Sequence, residues 1–254
     1  MIDHNPFSRQ GTGKQAVLLI HGIAGSPGHF RDLVPVIPEE FSVYNILLDG
    51  HNGTVRDFSR TSMAKWKVQV QATLLELFDR HEKVIIVAHS MGTLFAIQAA
   101  IDHPEKIPCL FLLSVPTRPR VRFSTLITCL RVAFGKLDTP GAQAMRGDTG
   151  IHLTPKLWEY LGWAPRMIEL LRECSRTRRL LPRLSVPTKT FQSRADELVS
   201  FRSCKDLENH PYIENTVLFG SGHFVYGKKD TPILQEALLQ TLSSIERISY
   251  EKTL

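Results

Sequence analysis

The sequence predicts an α/β fold, a mostly parallel sheet with helices on both faces and a central helical insertion. Three observations carry this. Short runs rich in β-branched and apolar residues, AVLLI at 16–20 and KVIIVA at 83–88, end at glycine-bearing turns and are too short for helices. Segments with helical spacing lie between such runs, and alternation of strand and helix is the signature of a parallel sheet. At 254 residues, with 43% hydrophobic and 22% charged residues, the chain has the balance of an ordinary globular domain with a sizeable core.

Four more runs complete an expected set of six strands: SVYNILL at 42–48, CLFLLSV at 109–115, PTKTFQS at 187–193 and NTVLFG at 215–220. Between them, Trp66, Val70, Leu74, Leu77 and Phe78 recur at three- and four-residue spacing over 66–80. An apolar helix is expected over 91–101 and a final one over 231–247. In this architecture ligand sites gather at the carboxyl ends of the strands, so reactive residues are expected just after them.

Residues 117–183 break the alternation. They divide the chain into a core of 1–116 and 184–254 and an inserted helical cap, in which Phe123, Leu126, Ile127, Leu130 and Phe134 share one helix face. Phe123 and Ile127 are candidate substrate-binding residues if that face lines an acyl pocket; otherwise it packs the insertion onto the core. The insertion holds thirteen Lys or Arg and five Asp or Glu, more than the whole excess behind the net charge of +6. Such a patch can attract anionic lipid, nucleic acid or an acidic substrate, or simply be solvated.

The N-terminal MIDHNPFSRQGTGKQ lacks the apolar run of a secretory signal, and no segment approaches membrane-spanning length, so a cytoplasmic protein is expected. Cys109, Cys129, Cys174 and Cys204 are too dispersed for a metal site and are expected as reduced thiols.

Chemistry concentrates in VIIVAHSMGTLFAIQAA, where Ser90 stands between a strand and a helix with small residues, Ala88 and Gly92, two positions to either side. This is a variant of the G-x-S-x-G elbow, whose tight turn lifts the serine out of the sheet and points the N–H of the following residue, Met91, at a developing oxyanion. A lone S-x-G would read as a helix N-cap; the flanking strand and helix change that. In LLIHGIAGSPGHF a second strand ends in a glycine-rich turn that can present the N–H of Ile23 beside the serine.

A serine hydroxyl needs a base, and the base needs a carboxylate to hold its tautomer. His223, in FGSGHFVY after the last strand, is the candidate base, and Asp196 in FQSRADELVSF the candidate acid, with Glu197 as the alternative. His21 and His89 flank the site and are expected to be structural. His4, His29, His81 and His210 are expected at the surface, His103 at a helix end, and Asp206 and Asp230 as solvated charges.

With these residues in place, the chain resembles the carboxylesterase and monoacylglycerol-lipase branch of the α/β-hydrolase superfamily. The resemblance rests on HGIAGSP, LLDGHNGT, Trp66, AHSMG, RLSVPTKTFQSRADELVS and SGH, with Asn52 and Ala88 standing where relatives carry glycine. It implies the α/β-hydrolase fold and a serine hydrolase with no metal or organic cofactor, acting on a small acyl ester or a monoacylglycerol-like lipid. Peripheral membrane contact through the basic insertion would fit; a nucleic-acid partner is not expected. A thioesterase or carbon–carbon bond hydrolase on the same residues is the alternative, as is a non-catalytic ligand-binding protein. Dehalogenases and epoxide hydrolases, which carry Asp at the position of Ser90, are disfavoured.

Overall fold

The computed structural model describes residues 2–251, with side chains placed through residue 245. Among the described residues seven strands form one sheet: β1 (Phe7–Arg9), β2 (Gln15–Ile20), β3 (Ser42–Ile46), β4 (Lys83–His89), β5 (Leu110–Leu113), β6 (Thr188–Ser193) and β7 (Ile213–Leu218). Their order across the sheet is β1-β3-β2-β4-β5-β6-β7, parallel throughout except for β1, which runs antiparallel to β3 at the edge. The six expected strands are all present within a few residues of their expected bounds. The edge strand β1 has no signal in the sequence, because its three residues are mostly exposed and carry no apolar pattern.

Period-two side-chain alternation splits the central strands between two cores. Leu18, Ile20, Val84, Ile86, Leu110 and Leu112 pack on one face, and Val17, Leu19, Ile85, Val87, Phe111 and Leu113 on the other, all of them fully buried. Burying each of these is worth roughly 1.5–3 kcal/mol, so the middle strands anchor the domain.

The first face is covered by α2 (Met63–Arg80) and α3 (Met91–Asp102), the second by the turn at Pro27–Phe30 and by α8 (Asp230–Glu251), which follows the short α7 (Cys204–Leu207) and β7. A short α1 (Val55–Arg60) starts at a reciprocal Thr54–Asp57 capping box, and Ser62 caps α2 by accepting from the Lys65 N–H. Trp66, fully buried in α2, donates its Nε1–H to the Asp49 carbonyl at 2.7 Å and ties the helix to the chain beyond β3.

Between β5 and β6 the chain forms α4 (Phe123–Ala133), α5 (Pro140–Asp148), a 3₁₀ stretch at Leu157–Trp163 and α6 (Ala164–Leu180). The α6 end seats on the core through apolar Met167 and Leu170, and Glu169 accepts the Met63 N–H at 2.9 Å. The α4 end is different. Only Thr125, Val132 and Ala133 of that helix are buried, and Val132 packs with Ala142 and Met145 of α5 against Phe224.

The apolar face of α4 is not packed onto the core but is open to solvent. Phe123 is 76% exposed and Ile127 44%, with Leu126, Leu130 and Phe134 similarly open. The sequence shows that the face exists, but which side of the helix meets the core is set by distant contacts, here those of Val132 with α5.

Two aspartates expected as solvated are bound instead. Asp206 takes a two-pronged hydrogen bond from Arg118 at 2.7 and 2.8 Å. Asp230, buried at the start of α8, accepts from the Gly220 N–H at 2.8 Å and the Ser221 hydroxyl at 2.6 Å. All four cysteines are free thiols, three of them buried and Cys129 exposed. Among the described residues no helix is long and apolar enough to cross a membrane.

Candidate active site

Ser90 joins β4 to α3 with φ +50° and ψ −120°, a conformation that ordinary side chains avoid. The surroundings hold it there. Its N–H donates to the Leu113 carbonyl at 2.9 Å, and its carbonyl accepts from the Thr93 N–H at 3.0 Å and hydroxyl at 2.6 Å. At Gly92 a Cβ would lie 2.2 Å from the Ile20 carbonyl oxygen, so no other residue lets α3 start this close to β2. Met91 is the first residue of α3, and its N–H has no acceptor within the helix.

The turn after β2 lies directly against the serine: a Cβ on Gly22 would be 2.9 Å from Ser90 Cβ and 3.4 Å from its Oγ. Two histidines set the shape of this turn. His21 donates its Nδ1–H to the Gly22 carbonyl at 2.8 Å and accepts the Leu48 N–H on Nε2 at 3.1 Å. His51 accepts the Ala24 N–H on Nε2 at 3.1 Å while its Nδ1–H donates to the Leu48 carbonyl, also at 3.1 Å. Both must be neutral to do so, and burial provides this, pushing His51 down to about 4 and His21 well below its ordinary value. With the Ala24 N–H occupied, Ile23 carries the candidate N–H of the turn. His51 has no sequence signal beyond its place in DGHNG; its partner is 27 residues away.

His223 follows β7 in a stretch without regular structure, and its Nδ1–H donates to both oxygens of Asp196, at 2.9 and 3.1 Å. This fixes the tautomer that leaves Nε2 free to accept a proton. The carboxylate is itself held by the Leu198 and Val199 N–H groups at 2.8 and 2.7 Å. Burial disfavours the charge on Asp196, but the charge and hydrogen bond of His223, with those two N–H donors, hold its carboxyl below the usual range. Burial likewise opposes the imidazolium, and Asp196 overcomes it by charge and hydrogen bond; smaller contributions from Asp148 and Glu197 leave His223 raised above 6.5. Ser90, Asp196 and His223 are all at least nine-tenths buried. His89, next to the serine, has its ring 4.7 Å from that of His223, which brings the ends of β4, β6 and β7 together.

His29, expected at the surface, is 3% exposed. It stacks on His89 at 3.6 Å, donates Nδ1–H to Asp148 at 2.6 Å and accepts from the Tyr226 hydroxyl on Nε2 at 2.9 Å. This buried chain joins α5, the turn after β2 and the segment following His223. His81 is also buried, contacting the Tyr44 hydroxyl at 3.1 Å, and His4 and His210 are half-buried with hydrogen-bonded rings. Each has a partner far away in sequence, which is why local polarity misplaced them. His103 ends α3 as expected, and His21 and His89 are buried in structural settings. Phe123 and Ile127 lie on the open face of α4.

A model of the alpha/beta hydrolase fold family matches residues 15–203, most of the chain. This chain belongs to the alpha/beta hydrolase family. Within it, the chain is similar to the monoglyceride lipase of Rattus norvegicus, 21% identical over 92% of this chain and 82% of the relative. It is also similar to the thermostable monoacylglycerol lipase of Bacillus sp. (strain H-257), 29% identical over 39% of this chain and 40% of the relative. The chain thus spans less than half the length of that Bacillus relative in the match. The solved monoacylglycerol lipase of Paleococcus ferrophilus shares the fold, with a TM-score of 0.68 at 18% identity over 94% of this chain and 98% of that one. The two curated lipases are in keeping with the resemblance to the carboxylesterase and monoacylglycerol-lipase branch.

Proposed function

We propose that the protein is a serine hydrolase of carboxylic esters, working through an acyl-enzyme on Ser90. The observation that carries the reading is the buried Asp196–His223 pair, with its tautomer fixed, whose imidazole lies 4.7 Å from the ring of His89, the residue preceding a serine held at φ +50° between β4 and α3. His223 takes the Ser90 proton as the hydroxyl attacks the acyl carbon, and Asp196 stabilises the imidazolium that forms. The N–H groups of Ile23 and Met91 receive the oxyanion. His223 then returns the proton to the leaving alcohol, and a water activated by the same imidazole releases the acid and frees Ser90.

Residues 117–183 act as the cap over this site, and the substrate class is a small acyl ester or a monoacylglycerol-like lipid, in keeping with the relatives. The open apolar face of α4, with Phe123 and Ile127, and exposed Arg120 and Arg122 at its start, suits contact with an anionic lipid surface.

Rates on p-nitrophenyl esters, monoacylglycerols and acyl thioesters test the reading. Turnover of the oxygen esters, lost to background in Ser90→Ala, is expected. Hydrolysis of thioesters alone, or tight ligand binding without turnover, would overturn it.

A further inference from the structure

Glu197 follows the candidate acid and takes no proton in the steps described above, yet it touches the same histidine. Its Oε2 accepts the main-chain N–H of His223 at 2.6 Å, while Asp196 takes the ring Nδ1–H at 2.9 Å. Two successive carboxylates thus hold one residue, one by the backbone and one by the ring. The approach is close: a Cβ at Gly222 would lie 2.7 Å from Glu197 Oε1 and 3.0 Å from Oε2. A Cβ there would push the carboxylate aside, so glycine before the histidine leaves room for this contact.

His223 needs such a tether. Residues 219–229 contain neither helix nor strand, so no backbone ladder fixes the Cα from which the imidazole projects. A carboxylate receiving an N–H forms a charge-assisted hydrogen bond, stronger than a neutral one. Glu197 is itself anchored on the other side. Its carbonyl accepts the Arg122 N–H at 3.2 Å and the Thr125 hydroxyl at 3.3 Å, both at the start of α4. The neighbouring backbone pairs with the same stem, through Arg120 N–H to the Leu198 carbonyl at 2.7 Å and Ser200 N–H to the Arg118 carbonyl at 3.0 Å.

We propose that Glu197 is a positioning residue: by accepting the main-chain N–H of His223 it sets where the imidazole stands, and through its own carbonyl it links that position to the stem of α4. The role for catalysis rests on the assignment of His223 as the base.

The test compares wild type, Glu197→Gln and Glu197→Ala by kcat and KM on a p-nitrophenyl ester, thermal stability, and amide-hydrogen exchange at His223. Glutamine keeps an acceptor oxygen without the charge, so its kcat and exchange should lie between wild type and alanine, closer to wild type. Alanine should lower kcat by about ten- to a hundredfold with KM unchanged, and speed exchange at His223. If the alanine variant fails to fold, Glu197→Asp, which draws the oxygen back by one methylene, should show the same two effects. Wild-type kcat and slow exchange in the alanine or aspartate variant would overturn the proposal. So would a glutamine variant as impaired as alanine. Exchange needs no turnover, so a wild-type protein inert on esters would count against the hydrolase reading while the exchange comparison still decides the tether.

Discussion

Asp196 and His223 illustrate how burial and pairing compete within one residue pair. Burial alone would neutralise both, and their mutual attraction keeps the carboxyl lowered and the imidazole raised. In the proposed mechanism the base works when neutral, so ester hydrolysis should fall as the pH drops through the raised His223 value. Asp196→Asn removes the two largest causes of that elevation, so the acid limb of the kcat/KM profile should move to lower pH. At its plateau, kcat should fall by about 10⁴-fold, because the tautomer is no longer held. A limb that stays in place would show that Asp196 does not set the histidine. At this scale the sequence was most informative where the chemistry is local: Ser90 sits between its strand and helix, and Asp196 and His223 each follow a strand. It was least informative for His29, His51 and Asp230, whose roles depend on partners brought close only by folding.

At the scale of elements, the chain Asp148–His29–Tyr226 fastens the end of α5 to the turn after β2 and to the segment that carries His223. All three residues are buried, so losing one leaves an unsatisfied polar group behind. Asp148→Ala should destabilise the protein by about 2–3 kcal/mol in urea unfolding. The double variant with His29→Phe should lose less than the sum of the two single losses, because the pair acts as a unit. Additive losses would mean that the contact is not coupled. The helix face of α4 shows the limit of periodicity. The spacing of Phe123, Leu126, Ile127, Leu130 and Phe134 correctly marks one apolar stripe, but not whether it turns inward, since Val132 and Ala133 on the other side claim the contact with α5.

For the whole molecule, alternation of apolar runs and helical spacing was enough to read the parallel sheet, because its central strands are buried on both faces and nearly every residue in them is apolar. The edge strand β1 escaped because a three-residue exposed strand has no such constraint. The insertion carries an exposed apolar stripe on α4 with exposed Arg120 and Arg122 at its start. Binding to vesicles containing phosphatidylserine is expected to weaken with added salt and in Phe123→Glu. Equal binding to neutral vesicles at any salt would count against the electrostatic part. The reading of the whole rests on Ser90, and the most direct measurement is reaction with an active-site fluorophosphonate followed by mass mapping of the adduct. A single adduct on Ser90, absent from Ser90→Ala and much slower to form in His223→Ala, is the predicted result; undiminished labelling of the Ser90→Ala protein would contradict it.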